Sequence, residues 1–294
     1  MAMDLATILG SRSQRRSFLL ATGLVLAIGL AAAMAVAHWA PSSPVWNAIV
    51  GILGSIAAGG VFALLSGLYL WYFFADPDEL AAQSYIFPKD IAENLETLAR
   101  TATEYKVFVR TGRHFRARIL PMLVEQALAS RSPVHIDVVL LDFRESALCE
   151  RYAGYRRSSS FDRQAWNADY VRKEVLATIL AVLRAANDNS GLIRVDLYLS
   201  RRLSTFRIEG SADALMITRE DPKDAAFRYQ RGQSEFAAYR AEYGWVLDEA
   251  EHIAGSAAGN LPTSLGALFG GGVVSADQEA AAGDATGAPS PYAR

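Results

Sequence analysis

SFLLATGLVLAIGLAAAMAVA, residues 17–37, runs for 21 residues without a charge. Crossing a hydrocarbon core of about 30 Å takes roughly 20 helical residues, so this stretch is long enough to span one. A second uncharged run of 37 residues extends from Trp39 to Ala75, broken only by the turn-like APSSP of 40–44. The two runs predict a transmembrane hairpin with helices near 17–38 and 46–74. A cleaved signal peptide competes for the first run, since Arg12, Arg15 and Arg16 precede it and AAAMAVAHWA offers small residues to a peptidase. The length of the run and the second one that follows at once favour the hairpin.

Basic residues stay on the cytoplasmic side of a membrane. Three arginines precede the first span, the connection holds only His38, and the 219 residues after Ala75 carry nearly all the remaining charge. Both termini are therefore expected in the cytoplasm, residues 1–16 included, at an inner or plasma membrane. Trp39 and Trp46 at one end, with Tyr69, Trp71 and Tyr72 at the other, suit the interfacial belts where amphipathic rings sit. The single Cys149 rules out an intrachain disulfide. A net charge of −2 with both signs mixed gives nucleic acid no electrostatic hold. Of the 29 basic residues 25 are arginine, which suits phosphate-reading guanidiniums but is better explained by a biased base composition.

Gly51, Ser55, Gly59, Ala63 and Gly67 recur every four residues along the second span. Small residues at that spacing let another backbone come close, either that of the first span or that of a second subunit. No charge lies inside either span, which disfavours a dedicated channel or transporter.

Beyond the membrane, ADPDEL and FPKDIAENLETLARTA read as an amphipathic connector helix over 76–104. Short apolar runs then alternate with helical ones. YKVFVRT, VHIDVVLLD, IRVDLYLS, TFRIEG and ALMITRE read as strands; HFRARILPMLVEQALAS, a stretch near 161–187 and SEFAAYRAEYGWVLDEAEHI read as helices. Strands alternating with helices predict an α/β domain over 105–255. ERYAGYRRSSSFDR, residues 150–163, reads as a solvated loop. From 256 to 294 the Ala, Gly, Ser and Pro content predicts a disordered tail.

LSTFRIEGSADALMIT, residues 203–218, follows an amphipathic helix and VHIDVVLLD, and precedes a helix with Phe and Trp. In that order it resembles one half of the phospholipase D superfamily, in which a strand carries His-x-Lys near its end, an Asp a few residues on, and Gly-Ser before the next strand. Thr205 falls where the resemblance implies the histidine and Arg207 where it implies the lysine. Ala212 takes the Asp position, with Asp213 one residue later, and Gly210-Ser211 supplies the small pair. The resemblance covers about 105–250 and occurs once. It implies an α/β domain whose catalytic letters are missing, since threonine without a base is a poor nucleophile. Arg207 retains a bidentate fork for phosphate and Ser211 a hydroxyl donor. The plainer reading is a strand whose Phe206 and Ile208 face a core while Thr205 and Arg207 face water.

His114 sits at a helix start directly after the first strand, where backbone N–H groups together with Arg110 and Arg113 gather anions. His135 and Asp137 share a strand face without a third ligand in view, so no metal site is expected, nor any cofactor. The reading is thus a membrane-anchored cytoplasmic protein that binds a phosphate-bearing ligand or a partner without catalysis. A missing second half implies a homodimer or higher homo-oligomer, and the architecture resembles membrane effectors of bacterial defence signalling. An active phosphodiesterase using His114 and a structural scaffold are the alternatives.

Overall fold

The computed structural model describes residues 12–39, 43–73, 84–159, 163–221, 223–256 and 261–291. It divides into two compact units, one up to Gln83 and one from Ser84 onward.

The first unit is a pair of helices, α1 (Arg12–Trp39) and α2 (Pro44–Phe73), of 28 and 30 residues. At 1.5 Å per residue each is over 40 Å long, more than the roughly 30 Å of a hydrocarbon core. Proline as the first residue of α2 gives up an N–H that has no helical partner anyway, and the Ser43 hydroxyl accepts from the Trp46 amide. Both helices are long and apolar enough to cross a membrane, and large side chains such as Leu20, Met34, Phe62 and Leu65 stand uncovered on them.

They pack on each other, but not through the whole expected stripe. A Cβ added at Gly60 would come within 3.2 Å of Leu26, and one at Gly67 within 2.7 Å of Leu19, whereas Gly51 and Gly59 face open space. The reason is geometric. Four residues turn a helix by about 400°, so a four-residue repeat drifts by about 40° a step, and Gly51 and Gly67 end up about 160° apart. Gly51, Ser55 and Gly59 therefore point away from α1 and Gly67 toward it, with Gly60 as the contact that the stripe omits.

The second unit is a mixed α/β structure around an eight-stranded sheet. Its elements are β1 (Tyr85–Ile86), α3 (Ile91–Ala99), β2 (Glu104–Phe108), α4 (Leu120–Ser130), β3 (Val134–Leu141), α5 (Ser146–Ser159), α6 (Ala168–Asp188), β4 (Ile193–Ser200), β5 (Phe206–Ser211), β6 (Ala214–Arg219), β7 (Ala226–Gln230), α7 (Ser234–Glu249), β8 (Glu251–Gly255), α8 (Leu265–Phe269) and α9 (Ala276–Thr286). The strand order is β1-β7-β6-β5-β2-β3-β4-β8. β2, β3 and β4 are parallel, joined through α4 and then through α5 and α6, while the outer strands pair antiparallel.

Alternation along the strands sends each sheet face to a separate core. Val107, Ile136, Val138, Val195 and Leu197 pack with α3, α4 and α6. Phe108, Val139, Ile208 and Ile217 pack with Phe236, Tyr243 and Val246 of α7. A fully buried side chain of this kind contributes about 1.5–3 kcal/mol, so α6, with seven buried Val, Leu and Ile side chains, is a central prop of the unit.

Three expectations are corrected here. The connector expected as a helix over 76–104 is not one helix: its described part holds β1, a tight turn and α3, whose Ile91, Leu95 and Leu98 are core residues, while 74–83 lie outside the described residues. The loop over 150–163 is helical to Ser159, because Cys149, Tyr152, Ala153 and Arg156 fall at helical spacing and are all buried. The disordered tail is ordered over 261–291. Leu265 and Ala282 are completely buried, Ser275 and Gln278 form a capping box on α9, and Glu279 accepts from the Leu265 and Gly266 amides at 3.0 and 2.9 Å. Low apolar content suffices there because α9 lies along α6 and needs only small residues to do so.

Candidate functional site

The C-terminal ends of β2, β3 and β4 share one edge of the sheet with the start of β5 and the end of β6, because β5 runs against β2 and β6 against β5. Ligands of open parallel sheets bind at that edge. Here it holds a buried charged cluster. Arg110 continues β2, with its carbonyl accepting from the Leu141 amide, and its side chain is 1 % exposed. Glu220 follows β6, and Tyr152 and Arg156 reach in from α5.

Glu220 is the hub. Its Oε2 accepts from Arg207 Nη2 at 2.7 Å, from the Tyr152 hydroxyl at 2.9 Å and from Arg156 Nη1 at 3.4 Å. Its Oε1 faces Arg110 Nε at 3.8 Å and takes part in no hydrogen bond among the described residues. Arg156 also donates to the Glu220 carbonyl and lies over the Trp166 ring, 4.5 Å from its centre. Burial pushes the Glu220 carboxyl up, but the guanidiniums of Arg207 and Arg110, the Arg207 hydrogen bond and Arg156 outweigh it and hold the group at about 2.

Arg110 Nη1 donates to the Phe206 carbonyl at 2.7 Å, while its Nε and Nη2 make no hydrogen bond among the described residues. A buried donor without an acceptor costs about 1–3 kcal/mol. The donors on Nε and Nη2 suit an acceptor such as a phosphate oxygen, while Glu220 Oε1, itself an acceptor, has no donor among the described residues. Glu209, also buried, is raised to about 7 by desolvation, which Arg207 opposes and Glu220 reinforces.

His114 lies beside this cluster and starts a single π-type turn over Phe115–Ile119. Burial, then the charges of Arg207 and Arg118, push its imidazole down to about 3, so it is neutral. The turn that delivers it depends on Gly112, whose φ of +69° and approach to Thr178 leave no room for a Cβ. Arg116 pairs with Glu174 at 2.8 Å and donates to Thr178 at 3.0 Å. The end of the chain runs over this ground. Arg113 donates to the Pro289 carbonyl and to the Tyr170 hydroxyl, Arg116 to the Ala285 carbonyl, and His114 Nδ1 meets the Ser290 hydroxyl at 2.8 Å.

Of the expected site residues, Arg110 and Arg207 meet at Glu220, and Arg113 and His114 lie under the C-terminal segment. Thr205 is exposed just before β5. Ser211 is not with them: it closes β5 at the opposite edge, opposite Tyr105, and five residues of strand take it about 13 Å from Arg207. Gly210 belongs to the strand and not to a phosphate turn. Its φ is +154°, and a Cβ would meet the Ala214 carbonyl oxygen at 2.3 Å, so glycine lets the β5–β6 hairpin close through Ala212 and Asp213. The sequence reading passed over Glu220, Tyr152 and Arg156. The first two gave no periodic signal, and Arg156 sat in a segment taken for a loop.

No family model, no curated protein and no solved structure matches the chain.

Proposed function

We propose that the chain is a membrane-anchored cytoplasmic binding protein whose α/β unit holds a phosphate-bearing small ligand at the Arg110–Glu220 cluster. In this reading it retains the phosphate-binding half of a phospholipase D-like domain and has lost the cleaving half. The observation that supports it is Arg110: a guanidinium at the ligand edge of a parallel sheet, fully buried, whose Nε and Nη2 find no hydrogen-bond acceptor among the described residues. Arg207 and Arg156 add positive charge around the same carboxylate, and a phosphate offers the bidentate acceptors that guanidiniums fit. The Pro289–Ser290 stretch is bonded to Arg113 and His114 beside the cluster.

The test is thermal stability of the full chain in detergent across inorganic phosphate, nucleotides and phospholipid headgroups. A ligand at 100 times its dissociation constant adds about 2.7 kcal/mol. The shift is expected for at least one phosphate compound, absent for uncharged sugars, and lost in Arg110→Met. No response to any anion rejects the reading. Turnover of a generic phosphodiester that His114→Ala removes rejects its non-catalytic part.

A further inference from the structure

The opposite end of the same strands carries a second constellation, independent of the arginine cluster. His135 and Asp137 stand on β3, and the parallel register sets Asp137 directly beside Asp196 of β4. His135 Nε2 lies 2.9 Å from Asp196 Oδ2 and 3.2 Å from Asp137 Oδ1. One atom from each of the three side chains falls within 4.8 Å of the others. Tetrahedral coordination with arms of about 2.0–2.1 Å spans edges of about 3.3–3.4 Å, so these atoms need only small rotations to surround one ion.

The remaining carboxylate oxygens are held from outside. Lys106 Nζ donates to Asp137 Oδ2 at 3.0 Å, and His252 Nε2 lies 3.0 Å from Asp196 Oδ1. Each carboxylate thus keeps one oxygen for the centre and has the other fixed by a neighbour, which is how metal-binding carboxylates are oriented. The β4–β8 register shifts between Leu197 and Tyr198, and this irregularity brings His252 to Asp196. Gly255, opposite Asp196, completes the fit, since a Cβ there would come within 2.3 Å of Asp196 Oδ1 and 3.0 Å of His252 Nε2. The side chains of His135 and His252 are 48 % and 50 % exposed, and a cleft of about 550 Å³ lined by His135, Asp196, Arg194 and Asn187 opens beside them.

We propose that His135, Asp137 and Asp196 bind a divalent transition-metal ion of the zinc type, with His252 and Lys106 as positioning residues and a fourth position open to water or an anion from the cleft. Mixed imidazole and carboxylate donors suit zinc, cobalt or nickel, whereas calcium and magnesium require oxygen donors. Carboxylates only accept, so His135 Nε2 carries the proton it shares with Asp137 and Asp196. The ion takes that proton's place, and the proton passes to Nδ1 or to solvent.

The test titrates untagged full-length protein in detergent, stripped with a chelator, with Co²⁺ followed by its visible spectrum and with Zn²⁺ in competition. One Co²⁺ per chain with the intense bands of a four-coordinate N/O site, displaced by Zn²⁺ and unaffected by Mg²⁺ or Ca²⁺, is expected. His135→Gln should abolish the signal, and His252→Gln should weaken binding about 10–100-fold. Arg110→Met should leave it unchanged. Both histidine variants are half-exposed and should keep the metal-free melting temperature and circular dichroism of the parent. Failure of the parent to bind stoichiometrically overturns the proposal, and so does binding that survives His135→Gln or equal displacement by Ca²⁺.

Discussion

His114 Nδ1 and the Ser290 hydroxyl lie 2.8 Å apart across 176 residues of chain. With the bonds from Arg113 to Pro289 and from Arg116 to Ala285, this contact ties the last described segment to the helix start that follows β2.

Loosening that tie should change two things together. Arg113→Leu combined with Ser290→Ala is expected to lower the hydrogen-exchange protection of Leu265–Thr286 by about 1–2 kcal/mol, the worth of two lost hydrogen bonds. If the segment covers the anion site, inorganic phosphate should bind the variant more tightly, because opening is no longer charged against affinity. Unchanged protection would mean that the α6–α9 packing alone holds the tail.

Glu220→Gln removes the one carboxylate that Arg110, Arg156 and Arg207 share. Deleting one partner of a buried ion pair costs about 3–5 kcal/mol, since it leaves unpaired charge behind. Chemical denaturation in detergent should register a loss of that order, and phosphate should restore more stability to this variant than to the parent.

Two buried groups act on stability in opposite directions with pH. His114 falls from an ordinary 6.5 to about 3, so between those values the unfolded chain binds more protons and stability rises with pH. Glu209 rises from 4.5 to about 7, so there the folded chain binds more protons and stability falls as pH rises. Each slope is up to about 1.4 kcal/mol per pH unit, and the two nearly cancel where the windows overlap. Relative to the parent, Glu209→Gln should gain stability as pH climbs through the Glu209 window. His114→Gln should gain it as pH drops through the His114 window. Melting temperatures across that range check both signs.

Gly210 and Gly244 separate two uses of the same residue. Gly210→Ala drives a Cβ into the Ala214 carbonyl at a φ that side chains rarely adopt, and should cost about 2 kcal/mol or more. Gly244, in the middle of α7, has nothing within 4 Å of its missing Cβ, and Gly244→Ala should add about 0.5–1 kcal/mol. Melting curves of the two variants should shift in opposite directions.

The strands β2 to β6 were legible because their apolar residues are dense and bounded by turn formers. β7, AFRYQ, was not, since only Ala226 of it is buried, and β8 hid in the tail of a helical pattern that ends at Glu249. α5 looked like a loop because Tyr152 and Arg156 are among the four residues it buries, and polar side chains carry no hydrophobic period. Asp196 escaped as the third ligand beside His135 and Asp137 because strand register is a property of the folded sheet. One clue did exist: VHIDVVLL and IRVDLYLS each place Asp fourth, where parallel alignment makes them neighbours. Thr205 and Ser211 were joined by a motif that spans a whole strand, so the fold parts what the letters group.

The margins of the sheet limit how copies of this chain can meet. One border strand, β1, has two residues, and the other, β8, is five residues long and kinked against β4. Neither presents the long, flat row of open amides and carbonyls that a second sheet needs to add on. Assembly that works by extending the sheet from one subunit into the next is thereby discouraged, and crowding of many copies on one surface carries less risk of amyloid-like stacking.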